Sequence, residues 1–193
     1  PETGTVPDAR QIEGTDIKAI VMGGATGSPQ ALMKIVPQLP ASLSVPVVIV
    51  QNMHSQFTGS LAEYLGNTAA LPVKEIEEGM QMQPGTIYLT PGKVHTKFMN
   101  GSDGSVFFTL EDSAPVNLAK PSIDVLFASA ADVIDGAVLS VILSGMGTDG
   151  VEGVKQLKAK GGINITQDKE TSAIFGIGWK VIAAECADEV LPD

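Results

Sequence analysis

The segment Gly23-Gly24-Ala25-Thr26-Gly27 stands between an apolar run at residues 17–22 and an amphipathic segment at residues 29–36. The apolar run predicts a buried strand and the amphipathic segment predicts a helix, so the glycines lie at a tight strand-to-helix turn. A nucleophile elbow, Gly-x-Ser-x-Gly, has this position and nearly this sequence. The residue at the nucleophile position is Ala25, and a methyl group cannot attack a carbonyl.

Two other interpretations of this turn remain open. A nucleotide site is disfavoured, because the glycines do not form G-x-G-x-x-G and no lysine follows as it does in a P-loop. A tight turn whose glycines only permit close packing is as compatible with the local sequence as a catalytic elbow is. The segment by itself therefore does not decide between structure and chemistry.

Strand-like and helix-like segments alternate from residue 17 onward. The strand-like segments are apolar on both faces, which indicates a parallel sheet covered on both sides. The fold class predicted is α/β, a three-layer, doubly wound and mainly parallel sheet. The predicted strands are residues 17–22, 46–51, 73–76, 86–89, 137–143 and 162–166, and the predicted helices are residues 29–36, 59–65, 123–134, 151–160 and 171–184.

Two stretches depart from the alternation. Residues 93–110 comprise two strand-like runs joined by a glycine-rich connection, which predicts a small antiparallel hairpin. We expect this hairpin to extend one edge of the main sheet. Residues 1–16 are polar and have no apolar period, so they predict a linker or tail before a domain at residues 17–193.

Composition and charge disfavour several functions. The net charge of −10 argues against nucleic acid as a partner, because its phosphates would be repelled. No apolar run is long enough for membrane insertion. The single cysteine, Cys186, excludes an internal disulfide framework, fits a reducing compartment and is expected to be a buried structural thiol. With only two histidines beside it, no metal site is expected.

Three loops follow predicted strands, and ligands bind at such positions on open α/β sheets. They are residues 23–28, 51–58 and 143–150. In the first loop Ser28 precedes a proline and is predicted to cap the following helix. In the third loop the glycines at 145 and 147 are compatible with packing alone. Local evidence there favours Asp149 as a cap of the helix that follows it.

Several segments together resemble one family, the catalytic domain of the bacterial chemotaxis protein-glutamate methylesterase. The resemblance is collinear from about residue 17 to residue 192. Its most specific parts are the Gly-Met-Gly-x-Asp-Gly loop at residues 145–150 and the Pro-Ser-Ile-Asp-Val-Leu-Phe segment at residues 121–127. The matching segments are residues 22–31, 47–51, 115–127, 141–150, 165–168 and 174–176.

The resemblance implies a doubly wound α/β serine hydrolase of two-component signal transduction. The family removes methyl groups from glutamates on the cytoplasmic helical bundle of chemoreceptors and deamidates certain glutamines there, without a cofactor. Its full-length members normally carry an N-terminal receiver domain in cis, and residues 1–16 resemble the end of the linker after it. A cytoplasmic location follows from the same resemblance.

Carried over position by position, the family's catalytic triad matches only in part. Its aspartate is present as Asp149, its serine falls on Ala25, and its histidine falls on Asn52. Asn52 cannot accept a proton near neutral pH, so a serine restored at position 25 would still lack its base. Backbone N–H groups that could still form an oxyanion site belong to Thr26, Gly27, Met146 and Gly147.

Two functional hypotheses follow from these substitutions. In the first, the domain is a pseudoenzyme that binds the chemoreceptor bundle, or a related signalling protein, without hydrolysing esters. In the second, it is an active carboxylic ester hydrolase or glutamine deamidase that uses Ser28 and His54 with Asp149. The second hypothesis requires the Ser28 hydroxyl and the His54 ring to meet in the cleft.

Overall fold

A computed structural model of the protein describes residues 14–193, and the predicted tail at residues 1–16 lies outside them except for its last three positions. The described chain folds into one large sheet, one hairpin and five α-helices. The strands are β1 (Ile17–Gly24), β2 (Val47–Gln51), β3 (Val73–Glu75), β4 (Ile87–Leu89), β5 (His95–Asn100), β6 (Val106–Glu111), β7 (Ala137–Ile142), β8 (Ile163–Gln167) and β9 (Glu189–Leu191). The helices are α1 (Ser28–Ile35), α2 (Ser55–Thr68), α3 (Ile123–Val133), α4 (Val151–Ala159) and α5 (Gly176–Ala183).

The main sheet has seven strands in the order β3-β4-β2-β1-β7-β8-β9, and every neighbouring pair is parallel. Alternate residues of β1 pack on opposite faces of this sheet. Ile20 joins a cluster with Leu32 of α1 and Leu65 of α2, whereas Val21 joins a cluster with Leu126 of α3. The predicted three-layer, doubly wound α/β class is therefore confirmed.

The order of the strands opens a crevice beside β1. This strand pairs with β2 on one side and with β7 on the other. The helix after β1, α1, covers one face of the sheet, and the helix after β7, α4, covers the other. The two connections diverge at the carboxyl end of the sheet, where such folds bind ligands.

The hairpin is present, but its predicted place at the edge of the main sheet is wrong. β5 and β6 pair antiparallel as a separate two-stranded sheet. Phe108 of β6 packs against Tyr88 of β4, with ring centroids 4.9 Å apart, and the backbone N–H of Phe98 donates to Ser129 Oγ of α3 at 3.1 Å. Burial of these aromatic rings outweighs continuation of the ladder, so the hairpin covers a face of the sheet.

Two helices differ from their predicted ranges by more than two residues at one end or both, and one short strand was not predicted. The helix predicted at residues 59–65 runs over Ser55–Thr68, because His54 can end the preceding loop and cap it. The segment predicted at residues 171–184 is helical only over Gly176–Ala183, since the Asp168 carboxylate accepts from the N–H of Thr171 and holds a turn there. β9 carries too short an apolar run to be predicted.

Within residues 14–193, none of the helices combines the length and apolarity that a membrane span requires.

Candidate functional site

The three loops predicted at the carboxyl ends of strands meet beside β1. Asn52, directly after β2, donates its backbone N–H to the carbonyl of Gly24 at 3.0 Å. Ala25 donates its N–H to the carbonyl of Ser144, two residues after β7, also at 3.0 Å. The positions that the resemblance gives to nucleophile and base are thus brought to one sheet edge by backbone hydrogen bonds.

The elbow itself is a tight turn over residues 25–28. The N–H of Ser28 donates to the Ala25 carbonyl at 3.2 Å, and Gly27 has a φ of 91°, which makes this a type II turn that requires glycine at its third position. Gly24 is needed for a different reason. A Cβ there would lie 2.3 Å from Ser28 Cβ, so the missing side chain makes room for Ser28.

Ser28 does not cap α1 as predicted. The N-cap is Gly27, Ser28 is the first helical residue, and no side chain caps this helix. Ser28 is fully buried, and its hydroxyl donates to Gln51 Oε1 at the end of β2. The prediction was wrong because the glycine at 27 takes the left-handed conformation and turns Ser28 inward, toward the sheet.

His54 lies at the start of the next helix and faces solvent. It is the N-cap of α2, where its Nδ1 accepts from the N–H of Gln56 at 3.4 Å, and its ring meets Phe57 edge-on with centroids 6.5 Å apart. Among the described residues, no hydrogen bond joins His54 to Ser28 or to Asp149. The structure therefore does not bring the three residues of the relocated set together.

Asp149 is buried and fully engaged with a neighbouring helix. Its Oδ1 accepts from Ser122 Oγ at 2.6 Å and from the N–H of Asp124 at 3.1 Å, and its Oδ2 accepts from the N–H of Ile123 at 2.7 Å. The predicted local cap is wrong, because the N-cap of α4 is Gly150 and has no side-chain bond. Asp149 instead stabilises the N-terminus of α3, a partner that only tertiary structure supplies.

Asp124, on α3, makes the corresponding interaction with the start of α4. Its Oδ1 accepts from the N–H of Gly153 at 2.7 Å, and its Oδ2 accepts from Asn117 Nδ2 at 2.7 Å. Each carboxylate thus satisfies backbone donors at the start of the other helix. Burial raises the pKa of Asp149 above its ordinary value, and hydrogen bonds from Ser122 and the start of α3 oppose that rise. Burial also raises the pKa of Asp124, with a further contribution from the charge of Asp149.

His95 belongs to the same network, although no sequence signal pointed to it. It is 1% exposed, its Nδ1 accepts from the N–H of Ser122 at 3.2 Å, and its Nε2 lies 3.0 Å from the carbonyl of Ala114. Because Nδ1 accepts this bond, a ring proton lies on Nε2, which donates to the Ala114 carbonyl. Ser122 bonds both His95 and Asp149, so a single residue links the two side chains. Only the folded chain brings His95 to this position.

The residues proposed for the oxyanion site line the open side of the crevice. Thr26 is exposed, and Met146 is 73% exposed. In the described part of the chain, the backbone N–H groups of Thr26, Gly27, Met146 and Gly147 donate to no protein atom. Four backbone donors near the carboxyl end of the sheet therefore have no partner among the described residues.

Gly145 and Gly147 have different reasons for being glycine. A Cβ on Gly145 would lie 2.6 Å from Ile177 Cδ1 and 3.0 Å from Ala25 Cβ, so this glycine lets the loop pack against the elbow. Gly147 has a φ of 106° and open space around it, so it is there for its backbone conformation. Its carbonyl accepts from Lys180 Nζ of α5 at 2.7 Å.

A cavity of about 270 Å³ adjoins this loop. Its walls bring together the turn before α3, the loop after β7 and α5, and they carry one basic and one acidic side chain. The lining residues are Asn117, Thr148, Val151, Glu152 and Lys180. Across residues 14–193, no cluster of three or more His, Cys, Asp or Glu side chains is placed to hold a metal ion.

Such a sheet, with a glycine-flanked turn after β1 and a buried aspartate after β7, defines a doubly wound α/β domain of the hydrolase type. The profile of the family described as CheB methylesterase matches residues 20–193. The chain belongs to the CheB methylesterase family.

Relatives and a solved structure agree with that assignment. The protein-glutamate methylesterase/protein-glutamine glutaminase of Thermotoga maritima is 41% identical over 175 residues, which are 91% of this chain and 51% of that protein. The protein of the same name from Maricaulis maris is 39% identical, over 89% of this chain and 43% of its own length. The crystal structure of the Thermotoga maritima CheB methylesterase catalytic domain superposes with a TM-score of 0.88 at 41% identity, covering 91% of this chain and 93% of that one. The chain spans about half the length of these curated relatives.

Proposed function

We propose that this domain binds methyl-esterified glutamate or glutamine side chains of chemoreceptors and does not itself hydrolyse them. The observation that carries the proposal is the side chain at the elbow. Ala25 stands at the turn between β1 and α1 with a methyl group where a serine hydrolase needs an attacking oxygen. Without that oxygen no acyl-enzyme forms.

The base position supports the same proposal. Asn52 follows β2, and its backbone N–H donates to the Gly24 carbonyl, so this residue lies next to the elbow. A carboxamide offers a hydrogen-bond donor and acceptor but takes up no proton near neutral pH. The site therefore suits recognition of a polar carbonyl group better than proton transfer.

The geometry of the substitute residues weighs against the active alternative. The Ser28 hydroxyl is 0% exposed and donates to Gln51, so neither its oxygen nor its proton faces the crevice. His54 is exposed and occupied as the N-cap of α2. Activation of Ser28 would require breaking a buried hydrogen bond and moving a helix N-terminus.

The open backbone donors give the proposed ligand something to bind. The N–H groups of Thr26 and Met146 stand on two loops that touch through the bond from Ala25 to Ser144. An ester or amide carbonyl oxygen can accept from such donors, and a substrate side chain can enter without contact to a reactive atom. The relatives' names specify the substrate class, a protein glutamate ester or glutamine.

The cellular setting is part of this proposal. A chemoreceptor helical bundle, or a related signalling protein, is the partner, and a receiver domain in cis regulates the domain in the full-length protein. The setting is cytoplasmic two-component chemotaxis signalling. It is supported by the family and by the length of the relatives, about twice that of this chain.

The test measures methanol release from a methyl-esterified chemoreceptor fragment. The native chain is compared with the Ala25→Ser/Asn52→His variant and with Ala25→Ser/Asn52→Ala as the matched control, which restores the nucleophile without a base. We expect no release by the native chain and turnover by the first variant at least about 10³-fold faster, because nucleophile and base act as a unit. The control variant is expected to stay close to the native chain.

Binding is measured separately, by calorimetric titration of the native chain with the same esterified fragment. Saturable binding without methanol release supports a binding domain. Methanol release by the native chain that Ser28→Ala abolishes would establish the active alternative. A native chain that neither binds nor releases methanol, together with an inert restored variant, would overturn the proposal.

A further inference from the structure

We infer that Gln51 is a positioning residue that, together with Ser28, holds the Ala25–Thr26 peptide so that the Thr26 N–H faces the crevice. The inference rests on the proposed function, since it names the side chains that keep the oxyanion site in shape after loss of the nucleophile. It assigns a role to two buried polar side chains that the fold does not otherwise require.

The Ala25 carbonyl is the point they hold. It accepts from Gln51 Nε2 at 2.9 Å and from the N–H of Ser28 at 3.2 Å, and Ser28 Oγ lies 2.9 Å away. Gln51 is 1% exposed. A carbonyl gripped by buried donors cannot turn toward the crevice without leaving those donors unsatisfied.

The Ala25 carbonyl sets the orientation of the Gln51 carboxamide. Nε2 donates to that carbonyl, which leaves Oε1 facing the Ser28 hydroxyl, whose single proton has both Gln51 Oε1 and the Ala25 carbonyl within reach. The opposite carboxamide orientation would set Oε1 against the carbonyl oxygen of Ala25, with two acceptors and no proton between them. Ser28 and Gln51 therefore operate as a pair.

A second contact holds the next peptide in the same sense. The Thr26 carbonyl accepts from Ser144 Oγ at 2.8 Å, and that hydroxyl oxygen accepts from the N–H of Ile174 at 2.9 Å. Neither peptide bond flanking Thr26 is cis, and in a trans peptide the N–H points opposite to the carbonyl. Two carbonyls held inward leave the N–H groups of Thr26 and Gly27 directed outward.

A purely structural role predicts something different from a positioning role. If Gln51 only filled space at the end of β2, its loss would lower stability and spare the rate of any restored reaction. If it positions the Thr26 N–H, its loss lets the Ala25–Thr26 peptide rotate, and the transition state loses a donor that the ground state hardly uses. The rate constant kcat then falls while KM stays nearly constant.

The variant that separates these roles is Gln51→Glu, which keeps the size of the side chain and its acceptor for Ser28 and, when ionised at the pH of the assay, has no donor for the Ala25 carbonyl. Gln30→Glu makes the same chemical change at an exposed position of α1 and is the control. In the Ala25→Ser/Asn52→His background we expect Gln51→Glu to lower kcat about 10- to 100-fold with KM changed less than about threefold. The control is expected to stay within about twofold.

A spectroscopic measurement on the native chain makes the test independent of catalysis. In ¹⁵N–¹H correlation spectra, Gln51→Glu is expected to shift or broaden the amide signals of Thr26 and Gly27 more than those elsewhere at the site. Gln30→Glu should leave both signals in place. If they stay in place in Gln51→Glu as well, the inference is overturned.

The two measurements keep the proposals apart. A native chain that does not bind the fragment, together with an inert restored variant, contradicts the proposed function, while a Thr26 signal that responds to Gln51→Glu still supports the positioning role. An active restored variant whose kcat is unaffected by Gln51→Glu supports the former and overturns the latter.

Discussion

Two turns of this domain have the same backbone form, but their side chains differ in what they bond. Each follows a strand beside the crevice, β1 or β7, and each places a glycine with positive φ before its helix, Gly27 and Gly150. In the first turn the chemistry-bearing position is Ala25, whose side chain has no polar atom. In the second it is Asp149, whose carboxylate receives three hydrogen bonds from the start of α3.

The two turns differ in how far the fold depends on that side chain. The first turn is held by backbone bonds and by Gln51, Ser28 and Ser144, and the Ala25 methyl group adds only packing against the core. Asp149 joins two helices, and its loss would leave buried donors unpaired. The fold therefore requires the aspartate independently of any catalytic role.

The largest expected effect on stability is at Asp149, and its absence would contradict this comparison. Asp149→Ala should lower the free energy of unfolding by about 3 kcal/mol, because the hydroxyl of Ser122 and the N–H groups of Ile123 and Asp124 lose their acceptor. Glu152→Gln, at an exposed carboxylate three residues on, is the control and should change it by less than about 0.5 kcal/mol. Urea unfolding measures both free energies. Similar values for the two variants would contradict a structural role for Asp149.

The next effect tests the space at the first turn. Gly24→Ala should cost about 2 kcal/mol, because the new Cβ would lie 2.3 Å from Ser28 Cβ and 3.2 Å from Leu143 Cβ. Ser28→Gly removes the first of these contacts. The double variant should therefore be more stable than the sum of the single changes by about 1 kcal/mol or more. Additive losses in thermal or urea unfolding would show that Ser28 does not occupy that space.

A smaller effect concerns pH. The pKa values of Asp124 and Asp149 are raised, so between the ordinary value of 3.8 and the raised value the folded chain holds more protons than the unfolded chain. Their contribution to stability is greatest at low pH and declines as pH rises through that window. Asp124→Asn removes one such group and the repulsion it exerts on Asp149. Its stability relative to the native chain should therefore rise between pH 4 and pH 7.

Urea unfolding at several pH values measures the difference in stability between the variant and the native chain. The prediction concerns how that difference changes with pH and not its value at any one pH. Asp112→Asn, at an exposed carboxylate paired with Lys120, is the control, because the hydrogen bond from Lys120 lowers the pKa of Asp112 instead of raising it. A slope for Asp124→Asn that is flat or falls with pH would mean that the hydrogen bonds from Gly153 and Asn117 outweigh burial.

The smallest effects on stability should come from changes at Ala25 and His54. Ala25→Ser should change the free energy of unfolding by less than about 1 kcal/mol, since the side chain is only partly buried. His54→Ala should cost about 0.5 kcal/mol, because its capping bond to Gln56 is long, 3.4 Å, and exposed. Thermal unfolding checks both, and a large loss in Ala25→Ser would place position 25 among the structural residues.

Much of the architecture could be predicted from apolar patterning. The strand cores, the parallel sheet and the helix starts at Ile123 and Val151 follow from local sequence, because a fully buried strand must be apolar on both faces. The hairpin was predicted but not its position, because the packing of Phe108 against Tyr88 is a contact between distant segments. The short β9 has no local signal of comparable strength.

The loops that carry the predicted site residues could be placed from sequence, but the hydrogen-bond partners of their side chains could not. The resemblance and the positions after strands identified the loops that carry Ala25, Asn52 and Asp149. The partner of Ser28 is Gln51, 23 residues away, and Asp149 serves a helix about 25 residues earlier in the chain. A helix cap predicted from sequence is assigned to the adjacent helix. Tertiary packing gives both Ser28 and Asp149 hydrogen-bond partners elsewhere in the chain.

By itself, the sequence determined the class of fold, the family and the absence of a hydroxyl and an imidazole at the elbow, because these depend on residue type and on local period. The tertiary structure decided what the remaining polar groups do. It turned Ser28 toward Gln51, engaged Asp149 with α3 and added His95 to that network. Buried hydrogen-bonding groups must find partners, and in a doubly wound sheet the nearest partners come from other strands and helices.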